Sequence, residues 1–274
     1  MGRHSSTTRR VSLDDRVPTA FGAVQLARSA FALAETDIRF DPENVLAFAM
    51  PVDASQFESF EESFVFHHEL RDRLGELAMV RAVGAISHLP LSGTGPMDAF
   101  GPGAAGDTVG WSDPLANYFA VMPGYFEAIG ARLRQGRFFT DDENLEGQAV
   151  SVIDESLAEI AWPGEDPIGK TMRMGWRIPP TIVVGVIEHP RVIDVSRDVR
   201  PQIYVPYGLF PWGPLRYTVK SAGDPTLLIG SVRAVLDEMR PGRAAFGFQD
   251  LSENVAAAMS TLRFVTLLVA LRAD

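Results

Sequence analysis

The order strand, helix, strand is written twice in this chain, once near each end, and that repetition constrains its fold more than any other feature. In the first copy Val45 to Met50 reads as a strand, Pro51 to Ser55 as a turn, residues 57–77 as a helix, and Val80 to Ser87 as a returning strand. The helix places Phe60, Phe64, His67, Leu70 and Leu74 on one face at spacings of three or four, with Glu61, Glu62, Glu69 and Asp72 largely elsewhere. Such a stripe is buried against a sheet. In the second copy Leu215 to Lys220 is a strand, Leu227 to Met239 a helix and Arg243 to Gln249 a strand. Asp224 suits a helix N-cap, and Pro225 the first helical position, where a missing N–H costs nothing.

Two β-α-β units set side by side make one layer with helices on one face. The residues between them, 93–214, then form an inserted second α+β subdomain. Its start, Gly93 to Gly106, is rich in glycine and proline and reads as a surface loop. A dinucleotide fingerprint does not fit there, because no helix follows and the glycine spacing fails. The expected fold class is therefore α+β.

Within the insert, Gly164 to Thr171 satisfies the pattern G-x-x-x-x-G-K-[ST] of a phosphate-binding loop. That loop needs a strand before it and a helix after it, so that free N–H groups face the anion. Here the order is inverted. Ala149 to Asp154 is the strand, Glu155 to Trp162 a short helix, and the candidate loop follows the negative pole of that helix. Glu165 and Asp166 repel a triphosphate, and Pro167 has no N–H to donate. Downstream, Met172 to Ile178 leads through Pro179-Pro180 to a strand, Thr181 to Ile187, with no long helix between.

Composition narrows the classes further. A chain of 274 residues with 46% hydrophobic residues can bury real cores. Its formal net charge of -10 and pI near 5.0 argue against nucleic acid, which wants a basic face. The absence of cysteine excludes disulfides and thiolate metal sites. Residues 1–16 are polar, without hydrophobic period, and read as a disordered leader.

Several blocks in order carry a resemblance that covers roughly residues 26–271. They are Val121 to Gly130, Gly136 to Phe139, Ala161 to Lys170, Val183 to Val186 and Arg200 to Tyr207, with Phe40 to Leu46 upstream and Gly223 to Pro225 through Arg263-Phe264 downstream. Together they resemble the MacB-like periplasmic core domain of FtsX-like ABC transporter permeases, of the duplicated orphan kind. The resemblance implies a porter-like subdomain built from residues 37–92 and 215–260, with the insert 93–214 between them. It implies that residues 1–36 hold a leader and the remnant of a first transmembrane helix, and 261–274 the stub of a second. A spanning helix needs about 20 mostly apolar residues. Val17 to Ala34 is interrupted by Gln25 and Arg28, and Leu262 to Leu271 is half that length. A signal peptide cleaved near Ala30-Phe31-Ala32 is spoiled by Asp14, Asp15 and Arg28.

Candidate site residues are few. His67 and His68 are adjacent on a helix, about 100° apart, and cannot face one metal together as an i, i+4 pair can. His88 ends a strand, and His189 sits in a turn beside Glu188; a zinc or catalytic pair there would require tertiary proximity. Asp141-Asp142-Glu143 lacks the alternating ligands and glycine of a calcium loop and reads as a helix cap or acidic turn. No G-x-S-x-G elbow is present. Tyr125, Phe126, Phe138, Phe139 and Trp162 read as core aromatics, while Trp111, Tyr118 and Trp212 lie near loops and could line a groove.

No catalytic, cofactor-binding or metal-binding residue is therefore assigned. The expected function is that of a noncatalytic extracytoplasmic domain. By the resemblance, ATP would be hydrolysed on a cytoplasmic ABC ATPase, and movement would serve export or envelope signalling, with an envelope partner or exported substrate outside and a homodimer of the complete permease. The alternatives are a soluble nucleotide-binding protein using Gly164 to Thr171, or a freestanding periplasmic binding module.

Overall fold

The computed structural model describes residues 38–50, 59–89, 95–103, 113–175, 178–190, 200–211, 214–242 and 244–260. Those from Asp37 to Ala257 belong to one compact unit, and Ala258 onward to a second, of which the described residues are helical. The expected leader and both expected membrane stubs lie outside the described residues. Among the described residues no helix is long and apolar enough to cross a membrane.

Both strand-helix-strand units form. The first is β1 (Val45–Met50), α1 (Phe60–Gly75) and β2 (Val80–Ile86). The Ser59 side chain starts α1 by accepting from the Glu62 N–H at 3.2 Å. The second unit is β10 (Leu215–Ser221), a 3-10 turn at Pro225–Leu227, α5 (Leu228–Met239) and β11 (Phe246–Asp250). Asp224 caps the turn through the Thr226 N–H at 2.9 Å, with Pro225 at its first position.

The two units do not sit side by side; they interleave in the order β11-β1-β10-β2. β1 is antiparallel to both β10 and β11, and β10 to β2. Interleaving gives each crossover-linked pair an antiparallel strand between or beside its members, and antiparallel ladders are slightly more stable per residue than parallel ones. This is the split β-α-β arrangement. α1 packs on β2 and on α5, so both helices cover one face. Their apolar stripes meet Leu46, Phe48, Val83, Tyr217 and Val219 in a core that includes Leu70, Leu74, Val232 and Leu236.

The residues between the units build a different object. β3 (Met97–Pro102), β4 (Leu115–Met122), β6 (Val150–Asp154), β7 (Thr171–Met174), β8 (Ile178–Ile187) and β9 (Gln202–Pro206) pair in the order β4-β3-β7-β8-β6-β9. β9 then pairs back onto β4 in parallel, which closes the ring. β5 (Leu133–Gly136) adds to β8 beyond the end of β7. Closure removes the exposed edges that an open sheet would present.

Alternation tells inside from outside. Phe100, Ala116, Ile153, Met172, Val183 and Ile203 are buried in a second core. Met97, Leu115 and Ile182, from the other face of the same strands, are 43%, 54% and 49% exposed. The first set therefore points into the ring. β3 corrects the expectation of a surface loop from Gly93 to Gly106. Residues 97–102 pair with β4 on one side and β7 on the other, and Phe100 is an interior side chain. β8 likewise starts at Ile178, ahead of Pro179-Pro180, whose missing N–H groups fall beside the irregularity between Met172 and Met174 of β7.

Sheet and ring meet along β4. β3 and β2 share one edge of it, with Met97 facing Asn117 and Ile86 facing Val121. The short α2 (Tyr125–Ala128) then packs on β2. A β-carbon at Gly84 would overlap the Tyr125 backbone, and one at Gly124, where φ is 89°, would overlap the Val83 carbonyl. Glycine at both positions lets the two backbones touch.

Candidate functional site

Each candidate named by the sequence can now be placed. The Gly164 to Thr171 segment follows α4 (Glu155–Ala161) and runs straight into β7. Four of its amides are already used. Glu165 N–H donates to Trp162 O at 3.0 Å, Gly169 N–H to Val183 O at 2.8 Å, and Lys170 N–H to Pro167 O at 3.1 Å. The Ile168 N–H donates to the Asp166 carboxylate at 2.9 Å. Lys170 pairs with Glu165, and its ammonium lies 5.6 Å from the Trp162 ring centre. A phosphate cradle presents free N–H groups and a free lysine. This segment is instead a turn that anchors the ring.

His189 has a carboxylate that spacing could not reveal. Its Nδ1 hydrogen-bonds Asp154 Oδ2, because β6 and β8 run parallel and bring Asp154 opposite Ile187. Asp154 is fully buried, and its other oxygen caps α4 by accepting from the Leu157 N–H at 2.7 Å. The Gln202 N–H donates to it at 2.9 Å, the Gln202 side chain donates to Pro190 O at 3.1 Å, and the Tyr204 hydroxyl donates to Gln202 Oε1 at 2.5 Å. Burial pushes the Asp154 carboxyl above its ordinary value, and these donors pull it partly back. The cluster ties three strands to one helix end.

The other histidines among the described residues are also engaged. His67 Nδ1 lies 2.8 Å from the Tyr217 hydroxyl inside the sheet core. His68 Nε2 lies 2.7 Å from the Asn144 amide nitrogen. His88 lies against Phe119, at 6.4 Å between ring centres, and burial with Arg216 nearby lowers its pKa. Among the described residues no group of three His, Asp or Glu side chains could hold a metal.

Asp141, Asp142 and Glu143 open α3 (Asp141–Leu145) as a capping box. Thr140 Oγ1 accepts from the Glu143 N–H, and the Glu143 carboxylate accepts from the Thr140 N–H at 3.0 Å. Arg137 holds that carboxylate from two nitrogens at 2.6 and 2.7 Å. Phe126 stacks on Phe138 at 4.7 Å, while Tyr118 meets Phe210 edge-on at 5.8 Å and packs against the ring core. Trp111 and Trp212 lie outside the described residues.

The segment that enters β1 was missed. Arg39 pairs with Glu155 at the start of α4, in an ion-pair chain that continues through Arg134 and Glu188 to Arg132. The Asp41 N–H donates to Ile129 O at 2.6 Å, and Lys220 of β10 reaches both Asp41 Oδ2 at 2.6 Å and Glu43 O at 2.7 Å. Arg39 and Asn44, near its two ends, have φ of 60° and 55°, an unusual value for an arginine and one that asparagine accepts readily. The segment thus grips ring and sheet at once. At its far end Leu46 of β1 faces Asp250 of β11, so the unit is entered and left at one end of the sheet.

A family profile described as MacB-like periplasmic core domain matches residues 23–243. The macrolide export ATP-binding/permease protein MacB of Aggregatibacter actinomycetemcomitans is 36% identical over 72 residues, covering 26% of this chain and 11% of that protein. Its namesake from Pasteurella multocida (strain Pm70) is 33% identical over 92 residues, covering 34% of this chain and 14% of that protein. The matched part is thus a small share of either relative. The crystal structure of the periplasmic region of MacB from Actinobacillus actinomycetemcomitans has the same fold, with a TM-score of 0.52 at 20% identity over 82% of this chain and 96% of that one.

Proposed function

The chain belongs to the MacB-like periplasmic core domain family, and on that premise we propose that it is the noncatalytic extracytoplasmic part of an ABC transporter permease. In this reading it lies on the periplasmic face of the plasma membrane, between two membrane helices. A cytoplasmic ABC ATPase hydrolyses ATP, the helices move, and this domain turns their movement into a change of surface for export or envelope signalling. Residues 37–92 and 215–260 act as one subdomain and 93–214 as the other. The work is mechanical, so no catalytic residue, cofactor or metal is assigned to it, and the complete permease is taken to act as a homodimer.

One observation carries the reading. The strand that starts the unit and the strand that finishes it are hydrogen-bonded neighbours, with Leu46 opposite Asp250. Two membrane helices attached there would pull on adjacent strands. The entering segment is clamped to α4 of the ring through Arg39 and to β10 of the sheet through Asp41, so a pull would reach both regions.

Topology can be tested with a single introduced cysteine, since this chain has none of its own and any others in the complete permease can be replaced first. Val65, at 62% exposure, is replaced by cysteine in the complete permease, and intact cells whose outer membrane has been permeabilised are treated with a membrane-impermeant maleimide. The proposal expects labelling before the inner membrane is broken. Labelling only after lysis would reject it.

A further inference from the structure

One of the contacts between α1 and α3 is a hydrogen-bond relay that tolerates a single protonation state. His68, buried on α1, points Nε2 at the Asn144 amide nitrogen, 2.7 Å away, and Asn144 is itself fully buried on α3. The Asn144 carbonyl oxygen accepts from the Gly208 N–H at 3.1 Å. That second bond fixes the amide: its oxygen faces an N–H, so its NH2 group faces the histidine. An NH2 group can only donate, so Nε2 must carry a lone pair and the ring proton must sit on Nδ1. Turning the amide over would set its NH2 against the Gly208 N–H and is no escape.

The surroundings reinforce this. The His68 ring lies 4.5 Å from the Phe64 ring, centre to centre. Of the charged groups facing it, Arg71 comes from α1 and is paired with Asp72 of α1 and Asp141 of α3. Burial lowers the His68 pKa first and Arg71 adds to the effect, while Asp141 and Asp72 partly offset it. The turn at Gly208 has no slack, since a β-carbon there would overlap the main-chain carbonyl of Asn144. Tyr207, next in the chain, is part of the sheet core, and its N–H bonds Val121 O at 2.8 Å.

We infer that His68, Asn144 and Gly208 form an acid-labile latch, closed while His68 is neutral and opened when Nε2 takes a proton. Protonation sets a donor against a donor and places a cation beside Arg71, so α1 releases Asn144 and with it the Gly208 turn, while the Arg71–Asp141 pair remains as a second tie between α1 and α3. The direction follows from linkage. A histidine whose folded pKa lies below its unfolded one contributes fully above the unfolded value, and that contribution is lost as pH falls from there through the folded pKa. The device is a property of these side chains and does not rest on the transporter reading.

The test is an NMR titration of the isotope-labelled chain from about pH 8 to about pH 5. The latch predicts the Nδ1–H tautomer at His68 at the upper end, and a His68 midpoint below that of an ordinary imidazole. The Gly208 amide should lose protection with the same midpoint while the amides of β1 keep theirs. His68→Gln retains an acceptor for Asn144 and cannot titrate, so it should hold Gly208 protected throughout. An Nε2–H tautomer at the upper end would overturn the inference, as would Gly208 protection indifferent to His68 or a transition that survives in the glutamine variant. Should that variant fail to fold, the tautomer and the matched midpoints in the unaltered chain decide the matter.

Discussion

The sheet of β1, β2, β10 and β11 and the ring that hangs from β4 bury their interiors by different rules. In the sheet, strands from opposite ends of the chain pair, Val45 facing Lys220, and the packing is mostly apolar, with His67 and Tyr217 as a polar pair within it. Phe48 stacks on Tyr217 at 5.2 Å over a floor of leucine and valine closed by two helices. In the ring, all strands come from one continuous part of the chain, and polar groups are threaded through the packing. The Thr181 hydroxyl donates to Ser151 Oγ at 2.9 Å inside the ring, and the Asp154 cluster binds it outside. Alternation of buried and exposed residues fixes register where one face is covered by helices. In the ring, buried hydrogen bonds act together with the alternation of inside and outside residues in selecting a register.

The comparison can be broken most forcefully by truncating one core at a time. Leu70→Ala in the sheet and Ile203→Ala in the ring should each cost about 3 kcal/mol in urea unfolding, because both side chains are fully buried. Since residues 37–257 form one compact unit, both variants should lower a single transition. A second transition appearing in either would show that the regions unfold separately.

A smaller effect probes the polar rule. Asp154→Ala removes the α4 cap and leaves His189 and the Gln202 N–H without their acceptor, and should cost about 2 kcal/mol. Loss of hydrogen-exchange protection should concentrate in β6, β8 and β9. If it spreads equally into β1 and β10, the cluster is not what registers the ring.

Glu143→Gln should cost about 1 kcal/mol at neutral pH, by weakening the capping box and the Arg137 pair. Arg137 holds the Glu143 carboxyl below its ordinary value, so its contribution is present above the unfolded pKa and lost as pH falls through the folded one. Variant and parent should therefore converge in acid, and a difference that persists there would contradict the assignment.

Lys170→Ala should change stability by less than about 0.5 kcal/mol, since its ion pair is at the surface. It should leave calorimetric titration with MgATP as flat as in the parent. Tight MgATP binding abolished by this change would restore the phosphate-loop reading.

Legibility in the sequence followed the same division. β1 was read to the residue, α1 within a few, and the Asp224-Pro225 start was read from its capping chemistry alone. These are local signals: a stripe, a cap, a run of apolar residues. Interleaving was not legible, because the choice between neighbouring strands is made by pairing across most of the chain's length. The ring was read as an α+β insert in which β6, α4 and most of β8 were located, but not its closure. β3 hides in a glycine-rich stretch whose composition says loop, and it is a strand because β4 and β7 supply partners. Asp154 ends one hydrophobic strand and His189 follows another, but only the parallel pairing of those strands, which spacing does not show, sets them together. Asn144 carried no signal: an asparagine in an acidic helix becomes meaningful only when His68 and Gly208 arrive from elsewhere.

The most direct test of the whole account is a distance. Val65 on α1 and Ile182 on β8, both exposed, can carry spin labels on introduced cysteines in the complete permease, reconstituted in lipid with its ATPase. Pulsed electron paramagnetic resonance then compares the nucleotide-free state with a vanadate-trapped one. The account predicts that the sheet-to-ring distance distribution shifts on trapping, and that Arg39→Ala, which loosens the entering segment from α4, reduces the shift. Identical distributions in the two states, with hydrolysis intact, would contradict it.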